Sequence, residues 1–289
     1  MSATFHPDVS KDARQVTHMV TQFGQFLDHD ISRTPTETTA DCCLEPEADN
    51  CFPIIIYRND SFYSTLSTPQ TCHKFSRSVA FCEERATVRE QMNSITAFID
   101  SSSVYGSSEN VSSLLRSGLN GKMLVNSNTS AFDKEMLPVI DGVVTAGDVR
   151  ARDMPGLAAM HTLWMREHNR IATEIKALAK IPLNDEDIFQ SARRILVAEM
   201  QSVVFSEYLP VVLGEQAMIK YGLQLPTEFS TYRNDVDPSI TNAFATAAYR
   251  WGRFTISSHR CLLAFFITVY MEDISIHGQT QVLLGLVIP

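Results

Sequence analysis

Apolar positions follow a helical period in three long stretches of the chain. The first covers residues 14–31 and includes Met19-Val-Thr-Gln-Phe-Gly-Gln-Phe-Leu-Asp-His-Asp-Ile31. The second runs from Pro155 to about Ala179. Its stripe is Leu157, Met160, Leu163, Trp164, Ile171, Ile175 and Leu178, and Pro155 suits a first helical turn. The third spans residues 187–207, Ile188 through Glu207, and ends in Tyr208-Leu-Pro-Val-Val-Leu-Gly214. A further helix starts near Ile240. Residues 32–85 lack a helical period and are rich in Pro, Asp, Ser and Cys, which predicts a long loop with Cys51-Phe-Pro-Ile-Ile-Ile56 as a short extended piece. Residues 86–96 read as a short helix leading into Thr96–Gly106. Residues 107–145 are mixed, with turns at Gly121 and Gly142, and residues 253–289 show no clear period. The pattern predicts a mainly α fold with little sheet.

A length of 289 residues allows one substantial core or two small ones. The net charge of −9, with no basic stripe interleaved with aromatics, excludes a general nucleic-acid binder. The longest apolar run, Leu262–Met271, is too short to cross a bilayer, so no membrane span is expected. Cys42, Cys43, Cys51, Cys72 and Cys82 crowd into the loop region, and Cys261 stands apart. Zinc fits poorly, because there is no Cys-x2-Cys pair and only His73 lies within the cluster. Disulfides fit better and imply an oxidising compartment. The sequons at Asn59, Asn110 and Asn128 point the same way. Met1–Pro7 has no apolar signal-peptide core, so an extracellular protein would carry a further N-terminal segment not present here.

Candidate chemistry concentrates at the end of the first helix. Residues three and four apart share a helical face, so Gln25, Asp28 and His29 point one way. Asp30 lies about 200° beyond Asp28 and meets a different environment. From these residues alone, a capped helix with a solvated acidic end is as good a reading as an acid/base site. In Thr96-Ala-Phe-Ile-Asp-Ser-Ser-Ser-Val-Tyr-Gly106, the alternate residues Thr96, Phe98, Asp100 and Ser102 would project to one side of an extended backbone and offer hard oxygens to Ca²⁺. A plain Ser-rich loop is the simpler reading. Arg150 and Asp153 read as a surface ion pair. His161 and His168, seven apart on one face of the second helix, read as packing histidines with satisfied nitrogens rather than metal ligands.

Several of these stretches resemble the animal haem peroxidases: Gln25-Phe-Leu-Asp-His-Asp30, Asp100-Ser-Ser-Ser-Val-Tyr-Gly106, Gly147-Asp-Val-Arg150, Met160-His-Thr-Leu-Trp-Met-Arg-Glu-His-Asn-Arg170 and Thr241 to Gly252. The resemblance runs over about residues 14–252, the first half or so of the family's helical catalytic domain. It implies haem b and calcium as cofactors and hydrogen peroxide with a small reducing donor, a halide or phenol, as reactants. His29 takes the place of the distal acid/base, Gln25 of a distal hydrogen-bonding residue, and Arg150 of the cation that polarises the peroxide. Asp28 and Asp153 match the two residues that form haem esters, although the second is usually Glu. Met154 falls where one branch of the family forms a sulfonium link to haem. Asp30, Thr96, Phe98, Asp100 and Ser102 match the calcium ligands. The resemblance pairs Cys42 or Cys43 with Cys51, and the other with Cys72.

One position departs from the pattern. After Trp251-Gly252 the family has the proximal His that binds iron, whereas here Arg253 follows. A guanidinium is permanently charged and is not an ordinary iron ligand. His259 is six residues out of register. Two functions are therefore expected as alternatives. One is a secreted haem peroxidase, or a fragment of one, acting in the response to oxidative stress. The other is a non-catalytic extracellular adhesion or matrix relative. Residues 253–289 read as an unmatched tail of a truncated domain.

Overall fold

The computed structural model describes residues 17–36, 41–60, 63–68, 70–81, 88–126, 135–225 and 234–250. Cys82, Asn128, Arg253, His259, Cys261 and the tail lie outside these residues. The fold is mainly helical. Helix α1, His18–Ile31, packs on α4, Pro155–Leu178, and α4 makes its largest helix contact with α5, Asp185–Val203. Their facing side chains form one core of Phe26, Leu27, Leu157, Met165, Ala192, Leu196 and Met200, with Tyr105 and Phe189 inserted beside them.

Local chemistry explains where these helices start. Pro155 occupies the first turn of α4 after extended Met154. The side chain of Asn184 accepts the Asp187 N–H at the start of α5, and Asp185, Glu186 and Asp187 complement the positive end of the helix dipole. Arg116 ties that end to the preceding loop through Asp185 and Glu186. Helix α5 then widens into a π-turn, Val204–Tyr208, and continues as α6, Leu209–Leu213. The run Asp185–Leu213 is long and apolar enough to cross a membrane by length and composition. The face carrying Ile188, Phe189, Ala192, Leu196 and Met200 is buried within this fold.

The loop region carries two short antiparallel ribbons. Strand β1, Ile54–Ile55, pairs with β2, Cys72–His73, and β3, Ala80–Phe81, pairs with β4, Glu90–Gln91. Cys42 bonds Cys51 and Cys43 bonds Cys72, one of the two pairings implied by the resemblance. Asn59 and Asn110 are both exposed.

Several expectations need correction. The described part of residues 86–96 is strand β4 and bends, not helix. The helix near Ile240 is a single short one, Asn242–Thr246, because Ala247 leaves helical geometry at φ −128°. Leu178 is exposed at the frayed end of α4 rather than part of its apolar stripe. Thr96 to Ser102 is not extended. Ser101 adopts a left-handed φ of 58°, and Ser102 opens a one-turn helix, α2, Ser102–Tyr105. The ion pair of Arg150 is with Asp148, two residues earlier, not with exposed Asp153.

Candidate active site

The last turn of α1 is the chemically unusual part of the fold. Asp28, His29 and Asp30 are all buried, although burying ionisable groups is costly unless they are paired. Each meets a different neighbourhood, as its position around the helix requires. Asp28 accepts a hydrogen bond from Ser32 Oγ at 2.8 Å and an ion pair from Arg250 at 3.4 Å. Burial raises its pKa, and Ser32 and Arg250 oppose that rise. Gln25 lies one turn before Asp28 and is half-buried.

His29 is 5% exposed, and its Nδ1 has no hydrogen-bond partner among the described residues. Burial first, and the Arg150 charge second, lower its pKa to about 3, so the imidazole is neutral near pH 7. A buried neutral ring with an open nitrogen can take up a proton from a bound acid and return it.

Arg150 sits on a 3-10 turn, Val149–Arg152, opened by Asp148, whose carboxylate accepts the Arg150 N–H. The same carboxylate holds the guanidinium at 2.8 and 2.7 Å. The guanidinium then donates to the carbonyls of Ser32 at 3.0 Å and His29 at 3.4 Å. Those carbonyls end a helix and have lost their intrahelical partners, and a cation is favoured there. Arg150 is thereby fixed against the backbone of His29. Asp153 is exposed at the end of the 3-10 turn, and Met154 is half-buried against the core.

Asp30 faces the opposite way and is 0% exposed. Its Oδ2 accepts the N–H groups of Asp100 and Ser101, and its Oδ1 accepts the N–H and hydroxyl of Ser103. Ser102 Oγ donates to the Asp30 carbonyl at 3.0 Å, and Thr96 Oγ1 lies 3.5 Å from that hydroxyl. The left-handed turn at Ser101 aims these donors at one carboxylate. Burial raises the Asp30 pKa to about 6, with the nearby Asp100 charge adding to it against the Ser103 hydrogen bonds. Phe98 is half-exposed on the same bend. Among the described residues, no group of three or more His, Cys, Asp or Glu side chains is placed to hold a metal.

The two histidines of α4 divide. His168 is satisfied: Nε2 donates to the Gly121 carbonyl at 2.8 Å, so Nδ1 accepts the Tyr105 hydroxyl at 2.8 Å. His161 is 1% exposed, and neither ring nitrogen has a partner among the described residues, contrary to the satisfied pair expected. It lines a cavity of about 10 Å³, about one water in size.

Sequence reasoning missed Asp148, Ser32, Ser103 and Tyr208. Asp148 had a local signal, an Asp two residues before Arg150 at a turn. Tyr208 had none, because it meets Gly24 from far along the chain; a Cβ on Gly24 would stand 2.5 Å from the Tyr208 hydroxyl.

A model of the animal haem peroxidase family matches residues 1–278. The chain belongs to that family. This peroxidase relative is 36% identical over 268 residues to myeloperoxidase of Mus musculus, covering 82% of this chain and 36% of that protein. It is 36% identical over 276 residues to the peroxidasin homolog pxn-1 of Caenorhabditis elegans, covering 84% of this chain and 21% of that protein. It therefore spans well under half the length of these relatives. Peroxidase A of Dictyostelium discoideum superposes with a TM-score of 0.69 at 25% identity, over 85% of this chain and 48% of that one. A fatty acid alpha-dioxygenase of Arabidopsis thaliana shares the fold at 19% identity, with a TM-score of 0.61. The family implies haem. The described residues fit its distal side: a buried neutral imidazole with an open nitrogen beside a fixed guanidinium. Position 253, where the resemblance places the iron ligand, lies outside the described residues.

Proposed function

We propose that this chain supplies the peroxide-binding side of a secreted haem peroxidase. The supporting observation is His29, buried and neutral, with Arg150 fixed to its own carbonyl. Haem, if bound beside this helix, would supply the redox chemistry. His29 would take a proton from hydrogen peroxide at its open nitrogen and return it to the departing oxygen. Arg150 and Gln25 would steady the charge and orientation of the peroxide. Asp28, Asp153 and Met154 match by sequence the residues that link to haem in the family, and Asp30, Thr96, Phe98, Asp100 and Ser102 would hold calcium through oxygens only, which suits that hard cation. A halide or phenol is the proposed donor, and protection against oxidative stress in the extracellular space the setting.

The test is to titrate the purified chain with haem, then measure peroxide-dependent oxidation of a phenolic dye. His29→Leu should leave the helical content intact and slow turnover by about a hundredfold or more. Equal turnover in both proteins would remove His29 from the mechanism. Arg253 favours a second reading, a non-catalytic matrix or adhesion relative in which calcium and disulfides are structural. A chain that binds calcium but shows no Soret band with haem would select it.

A further inference from the structure

We propose that Arg250 is a positioning residue: it locks the Asp28 carboxylate to the strap Thr241–Arg250, fixing the strap across the end of the distal helix α1. This rests on the haem-peroxidase reading for its consequence, but not for its geometry.

Polar contacts hold the strap to the fold at its two ends, and a ring pair stiffens its middle. At its start, the Thr241 hydroxyl caps α8, Asn242–Thr246, and Asn242 Nδ2 donates to Glu90 on β4. In its middle, Phe244 packs against Tyr249 with ring centroids 5.0 Å apart. Tyr249 is pressed toward Tyr208, whose ring packs in turn on Phe23 of α1 at 5.3 Å. Tyr249 packs against the core to which Tyr208 belongs, and burial first, then the Tyr208 phenol, push its hydroxyl pKa upward. At its end, Arg250 Nη1 reaches Asp28 Oδ2 at 3.4 Å, and Arg250 Nε bonds the Ala245 carbonyl at 2.9 Å. The second bond stiffens the guanidinium against its own strap.

The two partners are unequally exposed, and that decides which depends on the other. The Arg250 side chain is 46% exposed and can reach water if the pair breaks. The Asp28 side chain is 8% exposed, and the Ser32 hydroxyl is its other close hydrogen-bond partner. Exposed ion pairs contribute little, but a buried carboxylate losing one cation is less well compensated, here left with the Ser32 hydroxyl and the more distant Arg150 charge. The pair therefore orients Asp28, and Asp28 in turn anchors the strap.

The fold explains why the strap can lie so close. Gly24, one turn before Asp28, has no side chain, and the Tyr208 hydroxyl occupies the space a Cβ would take. The π-turn at Val204–Tyr208 brings that ring down onto the helix. π-turns often mark functional sites.

Hydrogen exchange of the full chain without haem tests the lock. Arg250→Gln and Asp28→Asn should each raise exchange at residues 242–250 by about tenfold, and the double variant should add nothing further. Exchange in α4 and α5 should stay unchanged, and Arg250→Lys should restore part of the protection. Unaltered exchange in Arg250→Gln, or additive effects in the double variant, would overturn the proposal. A second measurement separates the lock from the haem reading. After incubation with haem and peroxide, the haem fraction resisting acidic organic extraction should fall in Arg250→Gln if Asp28 is positioned for attachment. Exchange that responds while no variant takes up haem would keep the lock and remove the haem reading. Unchanged extraction despite a loosened strap would remove the positioning role.

Discussion

At the residue scale, the end of α1 shows how three adjacent ionisable groups are kept apart in function. Asp28 turns to Ser32 and Arg250, and Asp30 turns to the N–H groups of residues 100–103. His29 lies between them, beside Arg150. The separation of Asp30 from Asp28 follows from helical rotation and was legible in the spacing, whereas Asp28 and His29, expected to share a face with Gln25, meet different partners. The partners were not legible, because Arg250 and Ser103 come from distant segments. Replacing Asp100 by Ala should lower the melting temperature only when calcium is present; an equal loss in chelator would mean a packing role alone. His168 allows a pH prediction. Burial lowers its pKa to about 4 from 6.5, so the unfolded chain binds the extra proton between those values. Its contribution is complete above about pH 6.5 and is lost as the pH falls toward 4, by about 3 kcal/mol. Glu199, raised to about 7 by burial and by Glu167, works in the opposite direction. The stability gap between wild type and His168→Gln should therefore narrow from pH 7.5 to pH 4. A constant gap in denaturant melts would show that His168 is not buried neutral.

At the element scale, the long helices were legible because one apolar face repeats over many residues. Short elements were not: two-residue strands, the π-turn and the one-turn α2 depend on contacts made elsewhere. Gly147 shows how two such elements depend on each other. A Cβ there would stand 2.5 Å from Gly106 N and Val104 C and 2.6 Å from Ser102 O, all backbone atoms that cannot swing aside. The turn carrying Asp148 and Arg150 is thereby pressed directly on α2, whose residues meet Asp30. Gly147→Ala should cost about 3 kcal/mol and disturb both neighbourhoods at once. The check is a urea melt, together with the affinity for calcium and the peroxidase rate. Gly156→Ala is expected to be milder, since the nearest atoms to its Cβ belong to the end of the Gln22 side chain, at 2.3 Å from Oε1.

At the whole-molecule scale, the chain divides by what holds it together. The helices share one core, and no described residue from 41 to 81 belongs to it. That region instead exposes Phe52, Ile54, Ile55, Tyr57 and Phe75 and relies on Cys42–Cys51 and Cys43–Cys72. A loop-rich, Cys-dense stretch was legible in the sequence; that its apolar side chains face outward was not, because composition does not tell which side chains find a core. The two bridges close loops of 9 and 29 residues, each contributing about 3 kcal/mol by restricting the unfolded chain. Reduction should consequently melt this region first, with protease cuts appearing within residues 41–81 while the helical circular dichroism signal still melts near its original temperature. A single shared transition after reduction would contradict that division. Because Cys42 and Cys43 are neighbours, both bridges converge on one point of the backbone. The surroundings' thiol balance would then act as a dial on how much of the molecule is folded, releasing a sticky, isoleucine-bearing ribbon while helix α1 stays in place.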